Sequence, residues 1–392
     1  MKRVLVVAVL FLSLTVAAQR RRPSATPAPP APSAQFGATL PNLPPAQVAE
    51  FQEGRREFVD QRTPETGLGP VFNGSSCLEC HGVPVGGGAS VRTVTRIGTV
   101  VNGVFDPLTR FGGGLLQGRG IPGVRGDVRP AEATVVALRR STSLLGLGLV
   151  DATDDSTFIA LAQLQASRRD GTAGRVALVD NILAGMKTVG KFGWKAQVPT
   201  LQQFSADAYL NEMGITSPLF PNENCPSGNC DLLQSNPRPG LNDGGEAIDA
   251  AANFMRFLGP PPRGAITPDV LAGEQIFARI GCESCHTSTL QTGANANPAL
   301  HRVTYHPYSD FLLHDMGSLN DGIDQDGARA HEMRTAPLWG MRTINRFLHD
   351  GRARSIDAAI DAHDGQGLGA KNRFNALNAG ERAQLIAFLR SL

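Results

Sequence analysis

The sequence predicts a mainly α chain of two similar helical domains, with a small β-hairpin inserted into the first. Three observations carry this expectation. The pentads Cys77-Leu-Glu-Cys-His81 and Cys282-Glu-Ser-Cys-His286 share one pattern, C-x-x-C-H, in the two halves of the chain. Each pentad follows a stretch whose apolar residues recur at helical spacing. Between them, Gly259-Pro-Pro-Pro262 punctuates the chain more abruptly than any other segment.

Residues 1–18 begin with Lys2 and Arg3, continue through an apolar run over 4–14 and end on small residues. This reads as a secretory signal peptide cleaved after Ala18, its apolar run too short to span a bilayer and leaving no transmembrane anchor. Residues 19–45, rich in Pro, Ala and Ser, read as a flexible tether. The first domain, 46–262, opens on a helix with Val48, Phe51 and Phe58 on one side. Its hairpin is expected over 91–105, where a β-prone run leads to the turn signal Asn102-Gly103. Helices are expected over 156–168, 199–213 and 246–258, the last stopped by the proline block. The second domain, 263–392, opens on a helix from Pro268 with Val270, Leu271, Phe277 and Ile280 apolar. It closes on a helix capped by Asn378, with the stripe Leu385, Phe388 and Leu389. A formal net charge of +2 points neither to nucleic acid nor to a strongly charged membrane surface.

In C-x-x-C-H, two thiols can add to the vinyl groups of one haem while the adjacent histidine ligates its iron. Cys77, Cys80, Cys282 and Cys285 are therefore expected to hold two covalent c-type haems, with His81 and His286 as proximal ligands. A redox dithiol does not need the trailing histidine, and a zinc site needs two further ligands that neither pentad has nearby. A helix followed by such a pentad opens a cytochrome-c-like domain. Haem attachment of this kind occurs outside the cytoplasm, which agrees with the signal peptide and points to the periplasm. Cys225 and Cys230 are expected to close a small disulfide there.

The other ligand candidates are unevenly distributed. Between residues 46 and 262 the only histidine is His81 and the only methionines are Met186, Met213 and Met255. The second domain adds His301, His306, His314, His331, His349, His363, Met316, Met333 and Met341. One haem with an open or weakly held sixth position is expected beside one with two firm ligands. The first arrangement admits an oxidant, and the second suits electron transfer. The alternative is that a residue of the second domain caps the first haem.

From about residue 64 onward the chain resembles the di-haem oxidoreductase family, related to bacterial di-haem cytochrome c peroxidases and MauG-like proteins. The stretches that carry the resemblance run from Gly67 to Cys77, Phe192 to Ala196, Asn211 to Ile215 and Phe254 to Leu258. They continue from Tyr308 to Gly317, Arg334 to Gly340 and Phe347 to Arg352. Glu212-Met213 resembles the end of the peroxidase segment that presents a distal glutamate to peroxide, where a carboxylate can move a proton. An ordinary helix-surface residue is the other reading of Glu212. The family's distal ligand of the second haem lies fourteen residues after the His of His-Asp-Gly, which from His349 gives His363. His314 and Met316 are its rivals. Trp194 resembles the tryptophan that lies between the haems, or else it packs a core.

The resemblance also raises a calcium ion between the domains, but Arg346 stands where proline is usual. The acidic loop from Asn320 to Gly327 lacks the spacing of a calcium loop and reads as solvated. The implied function is a peroxidase-type oxidoreductase. It would take electrons from a small redox protein at the C-terminal haem and deliver them to peroxide at the N-terminal haem. A MauG-like oxidase or oxygenase and a plain electron-transfer cytochrome are the alternatives.

Overall fold

In the computed structural model, which describes residues 35–392, one crossing of two helices is built twice. Nine α-helices occur among the described residues: α1 Pro45–Val59, α2 Leu147–Asp151, α3 Asp155–Arg168, α4 Leu201–Met213, α5 Glu246–Phe257, α6 Pro268–Arg279, α7 Ile356–Asp361, α8 Leu368–Asn375 and α9 Ala379–Ser391. α1 starts with proline at its first position, where no N–H is needed, and buries Phe51, Gly54 and Phe58. A Cβ on Gly54 would lie 2.1 Å from the Ala250 carbonyl oxygen, so only glycine lets α1 come this close to α5. Phe254 of α5 then packs 5.2 Å from Phe51 and 4.7 Å from Phe58, centroid to centroid.

The second half repeats the device. α6 is capped by Thr267, whose side chain accepts from the Val270 N–H. A Cβ on Gly273 would lie 2.1 Å from the Gln384 carbonyl oxygen of α9, and Phe277 sits 5.3 Å from Phe388. α9 has the expected Asn378 cap, completed by Glu381 into a reciprocal capping box, and buries Leu385, Phe388 and Leu389. The spacing Gly54…Phe58 recurs as Gly273…Phe277, a repeat beyond the pentads themselves. In each half a tyrosine hydroxyl donates to a glutamate of the first helix: Tyr209 to Glu57 and Tyr308 to Glu274, both at 2.5 Å.

Three expectations need correction. The hairpin forms, with strands Thr93–Val101 and Val104–Asp106 turning at Asn102-Gly103, but it is half of a larger sheet. Leu115–Leu116 and Val135–Arg140 both pair with the first strand, the latter from Thr93↔Arg140 to Gly98↔Val135. Pairing across so long a connection leaves no local sequence signal. The tether, placed over 19–45, ends sooner. Leu40 is 3 % exposed and its N–H donates to the Phe257 carbonyl at 2.8 Å, with Phe36 and Leu43 packed on the same core. The signal-peptide segment and residues 19–34 lie outside the described residues.

The proline block, placed between the two expected domains, ends α5 as expected, but it is packed tightly into the fold. Gly146 is packed between Pro260 and the Trp339 ring, and residues 35–392 belong to one compact unit. Cys225 and Cys230 are disulfide-bonded. No helix among the described residues is long and apolar enough to cross a membrane.

Glycine to alanine inside a helix ordinarily gains up to about 1 kcal/mol. Gly273→Ala is expected to reverse that sign and cost about 1–3 kcal/mol, because its methyl overlaps the Gln384 carbonyl. Thermal unfolding checks this, and a raised midpoint would contradict the crossing.

Candidate functional site

Beside each helix crossing lies a cavity carrying one pentad. The first is walled by α1, α4 and the four-stranded sheet, with ≈ 1240 Å³ of space free of protein atoms, open solvent at its mouth included. Cys77, Cys80 and His81 line it. His81 Nδ1 lies 3.1 Å from the Gly88 carbonyl oxygen, and its ring centroid is 6.3 Å from that of Phe58. A carbonyl only accepts, so Nδ1 holds the proton and Nε2 keeps its lone pair. Burial lowers the His81 pKa and keeps the ring neutral.

The second cavity, ≈ 1890 Å³ by the same measure, is lined by Cys282, Cys285 and His286. His286 Nδ1 lies 2.9 Å from the Tyr308 carbonyl oxygen, and its ring is 6.3 Å from Phe277. Burial pushes the His286 pKa down to about 4.

Burial also pushes the Cys77 and Cys282 thiols up to about 12, and raises Cys80. These are not the activated thiolates of a redox dithiol. No group of three or more His, Cys, Asp or Glu side chains placed to hold a metal ion occurs among the described residues. A thiol pair, a neutral imidazole with a free Nε2 and a roomy cavity form a donor set that fits a thioether-held haem in each half.

The second cavity contains a further imidazole of the same kind. His363, just beyond α7, has Nδ1 2.8 Å from the Ala359 carbonyl oxygen, and burial lowers its pKa. Its Nε2 is likewise left with a lone pair. His314 lines the cavity too, but both its nitrogens are engaged. Nε2 lies 2.9 Å from Asp310 Oδ2 and Nδ1 lies 3.1 Å from Gln366 Oε1. Burial alone would lower its pKa, yet the adjoining Asp310 carboxylate holds it well above the ordinary value. His314 is therefore a charged partner of Asp310 and is not free to ligate. Met316 also faces this cavity, its methyl lying against Gly367.

Across the first cavity stands Glu212, near the end of α4. Asn73 Nδ2 donates to its Oε2 at 2.9 Å, and burial raises its pKa above the ordinary carboxylate value. It is thus a cavity-wall residue, not an ordinary helix-surface one. Asp207 on the same helix lines the cavity as well and is raised by burial, while Arg96 from the sheet pulls both carboxylates the other way. Sequence reasoning missed Asp207 and Arg96. Arg96 reaches the site through long-range strand pairing, although Asp207 stands only five residues before Glu212. Met213 and Met255 line the cavity but also pack in apolar clusters, and Met186 is exposed on a separate hairpin. Among the described residues, none beyond Met255 lines the first cavity.

Trp194 lines both cavities. Its indole N–H donates to the Arg140 carbonyl at 2.9 Å, and its ring meets His349 edge-on at 6.3 Å. The Arg346 carbonyl, one of those raised for calcium, accepts from the Arg140 guanidinium. In the acidic loop Asp324 and Asp326 are exposed, whereas Asp321, expected to be solvated with them, is buried against Arg139 and Lys195. The loop therefore offers no convergent carboxylates.

Two helix crossings, each beside a cavity carrying one C-x-x-C-H pentad, thus make up the candidate site. Residues 131–392, about two thirds of the chain, match the model of the family described as "Di-haem oxidoreductase, putative peroxidase". The chain belongs to that family and is an oxidoreductase. The second pentad lies inside the matched stretch and the first precedes it. No curated protein matches the chain.

Three solved structures are similar to it. Hydrazine synthase of Kuenenia stuttgartiensis is 13% identical over 95% of this chain and 100% of that one, with a TM-score of 0.40. A MauG-like protein associated with microbial copper homeostasis is 15% identical over 92% and 93%, at 0.41. The diheme peroxidase BthA from Burkholderia thailandensis E264 is 16% identical over 90% and 86%, at 0.42.

Replacing His363 by Ala is expected to convert a low-spin electron paramagnetic resonance signal to high-spin. The intact mass should still show two haems. An unchanged low-spin signal would transfer the ligand role to Met316.

Proposed function

We propose that the chain is a secreted di-haem c-type cytochrome peroxidase, fed by a small redox protein at the C-terminal module and reducing peroxide in the N-terminal cavity. Cys77 and Cys80 hold one haem with His81 as proximal ligand. Cys282 and Cys285 hold the other between His286 and His363. When bound, the haems supply the redox-active iron that accepts electrons and delivers them to the O–O bond.

The observation that carries this reading is the inequality of the two cavities. The first is lined by one imidazole, His81, by the half-buried carboxylate of Glu212, and by no described residue beyond Met255. Of the imidazoles lining the second, His286 and His363 each have Nδ1 tied to a carbonyl and a pKa lowered by burial. A site filled from both sides suits receipt of electrons, and a site open on one side suits substrate. Trp194 at the wall common to both supports transfer between them. Secretion rests on the signal-peptide pattern and on where c-type attachment takes place.

Within the first cavity Glu212 handles the proton. Its carboxylate accepts the proton of an entering peroxide and returns it to the departing oxygen, while Asn73 fixes one carboxylate oxygen by hydrogen bonding. Burial raises the Glu212 pKa, so the base form is lost at a higher pH than for an exposed glutamate.

Glu212→Gln keeps shape and hydrogen bonding but removes the base. It is expected to slow peroxide turnover ~10²–10⁴-fold with nearly unchanged haem spectra. Wild-type turnover should fall as pH drops through the raised pKa, and the variant should lack that acid limb. Wild-type rates in Glu212→Gln would make the residue a bystander. Absence of peroxide turnover in wild type with the second haem pre-reduced would replace the peroxidase reading by oxygen-dependent oxidation or electron transfer alone.

A further inference from the structure

The wall between the two cavities contains a buried cation that the peroxide chemistry does not use. Lys195, the residue after Trp194, is 0 % exposed. Its Nζ lies 2.6 Å from the Glu332 carbonyl oxygen, 2.9 Å from that of Ala330, 3.1 Å from that of Arg329 and 2.9 Å from Asp321 Oδ1. Three carbonyls and a carboxylate around one positive centre are the kind of donors that protein loops offer to calcium. The other oxygen of Asp321 accepts from Arg139 Nε at 2.7 Å, so this carboxylate is held from both sides. A buried ammonium is strongly disfavoured unless such a set of oxygens replaces its water shell.

The position of this cage decides what it holds. Lys195 belongs to the turn that presents Trp194, in which Gly193 and Ala196 have φ values of 79° and 51°. The left-handed conformation is uncommon for alanine and persists only where surroundings impose it. The cage oxygens belong to the loop and strand that lead to Arg334. That residue grips the same turn: its N–H donates to the Trp194 carbonyl at 2.8 Å and its Nε to the Gly193 carbonyl at 2.6 Å. The Lys195 cage and Arg334 thus fasten the Trp194 turn to one loop and strand, while its indole N–H is fixed on the Arg140 carbonyl.

We propose that the Lys195 ammonium is the built-in structural cation of this wall, filling an all-oxygen cage so that Trp194 is held between the cavities without a metal ion. Lys195 is a positioning residue. That role rests on the reading of Trp194 as the link between the two haems, whereas the cage does not. A compact ammonium suits the convergent oxygens, and a planar guanidinium would not.

The test uses the haem-loaded protein and its variants K195M, K195A and W194F, read by calorimetry and by hydrogen exchange of residues 192–198 and 329–334. Electron equilibration between the haems is followed by rapid mixing. A calcium chelator should leave the wild-type melting temperature unchanged. K195M, which keeps the length of the side chain but not its charge, should melt about 4–7 °C lower. It should lose about tenfold or more of the protection in both segments.

Methylammonium, with three N–H donors, should restore part of the K195A melting temperature, and tetramethylammonium should not. Both K195M and W194F should slow equilibration several-fold, W194F without loss of protection. A chelator effect on wild type overturns the proposal, as does unchanged melting and protection in K195M. Equal restoration of K195A by both amines, or by neither, reduces Lys195 to packing and also overturns it. Unchanged equilibration in W194F, with K195M still losing protection, overturns the Trp194 link and leaves the cage standing.

Discussion

Two helices can cross with their backbones in contact only where one of them lacks a Cβ, and this chain meets that constraint twice. Gly54 lies against the Ala250 carbonyl, and Gly273 lies against the Gln384 carbonyl. Four residues on from each glycine comes a phenylalanine, Phe58 or Phe277, that packs on the partner helix and stands 6.3 Å from the pentad histidine. The crossing therefore fixes one side of the imidazole. A backbone carbonyl bound to Nδ1 fixes the other, leaving Nε2 as the only lone pair directed to chemistry. Were the helices a methyl group further apart, the ring and the histidine would lose this common reference.

The two modules share this frame and differ in what faces the histidine. In the first, long-range strand pairing brings Arg96 toward Glu212 and Asp207, so the cavity has proton-active walls and no second imidazole. In the second, the short helices after the His-Asp-Gly motif bring His363 to the cavity, while Asp310 takes His314 out of contention by holding it charged. One architecture thus yields two cavities with different walls. The join between them is polar and buried, which is costly unless every charge is met. Asp321, Arg139 and Lys195 meet one another there, and Trp194 occupies the remaining space.

Much of this was legible in the sequence because it depends on short-range chemistry. The pentads, the helices around them, the Asn378 cap and the Cys225–Cys230 bridge are each set by residues a few positions apart. His363 was singled out by the family resemblance, and it lines the same cavity as His286. The Gly54…Phe58 and Gly273…Phe277 repeat was present in the sequence but is weak as a pattern until the crossing gives it meaning. The four-stranded sheet, the docking of residues 36–43 and the burial of Asp321 arise from contacts between distant segments, and local propensity has no means of encoding them. Lys195 read as one letter of a family stretch, since nothing in sequence shows that three carbonyls of a remote loop converge on it.

The account depends on unequal ligation of two haems held in equivalent frames. An electron paramagnetic resonance spectrum of the oxidised full-length protein tests this most directly. The proposed function predicts one high-spin and one low-spin ferric haem in equal amounts, the low-spin component with the signature of two imidazoles. Two low-spin signals with no high-spin component would contradict the open face of the first cavity and, with it, the division of labour between the modules.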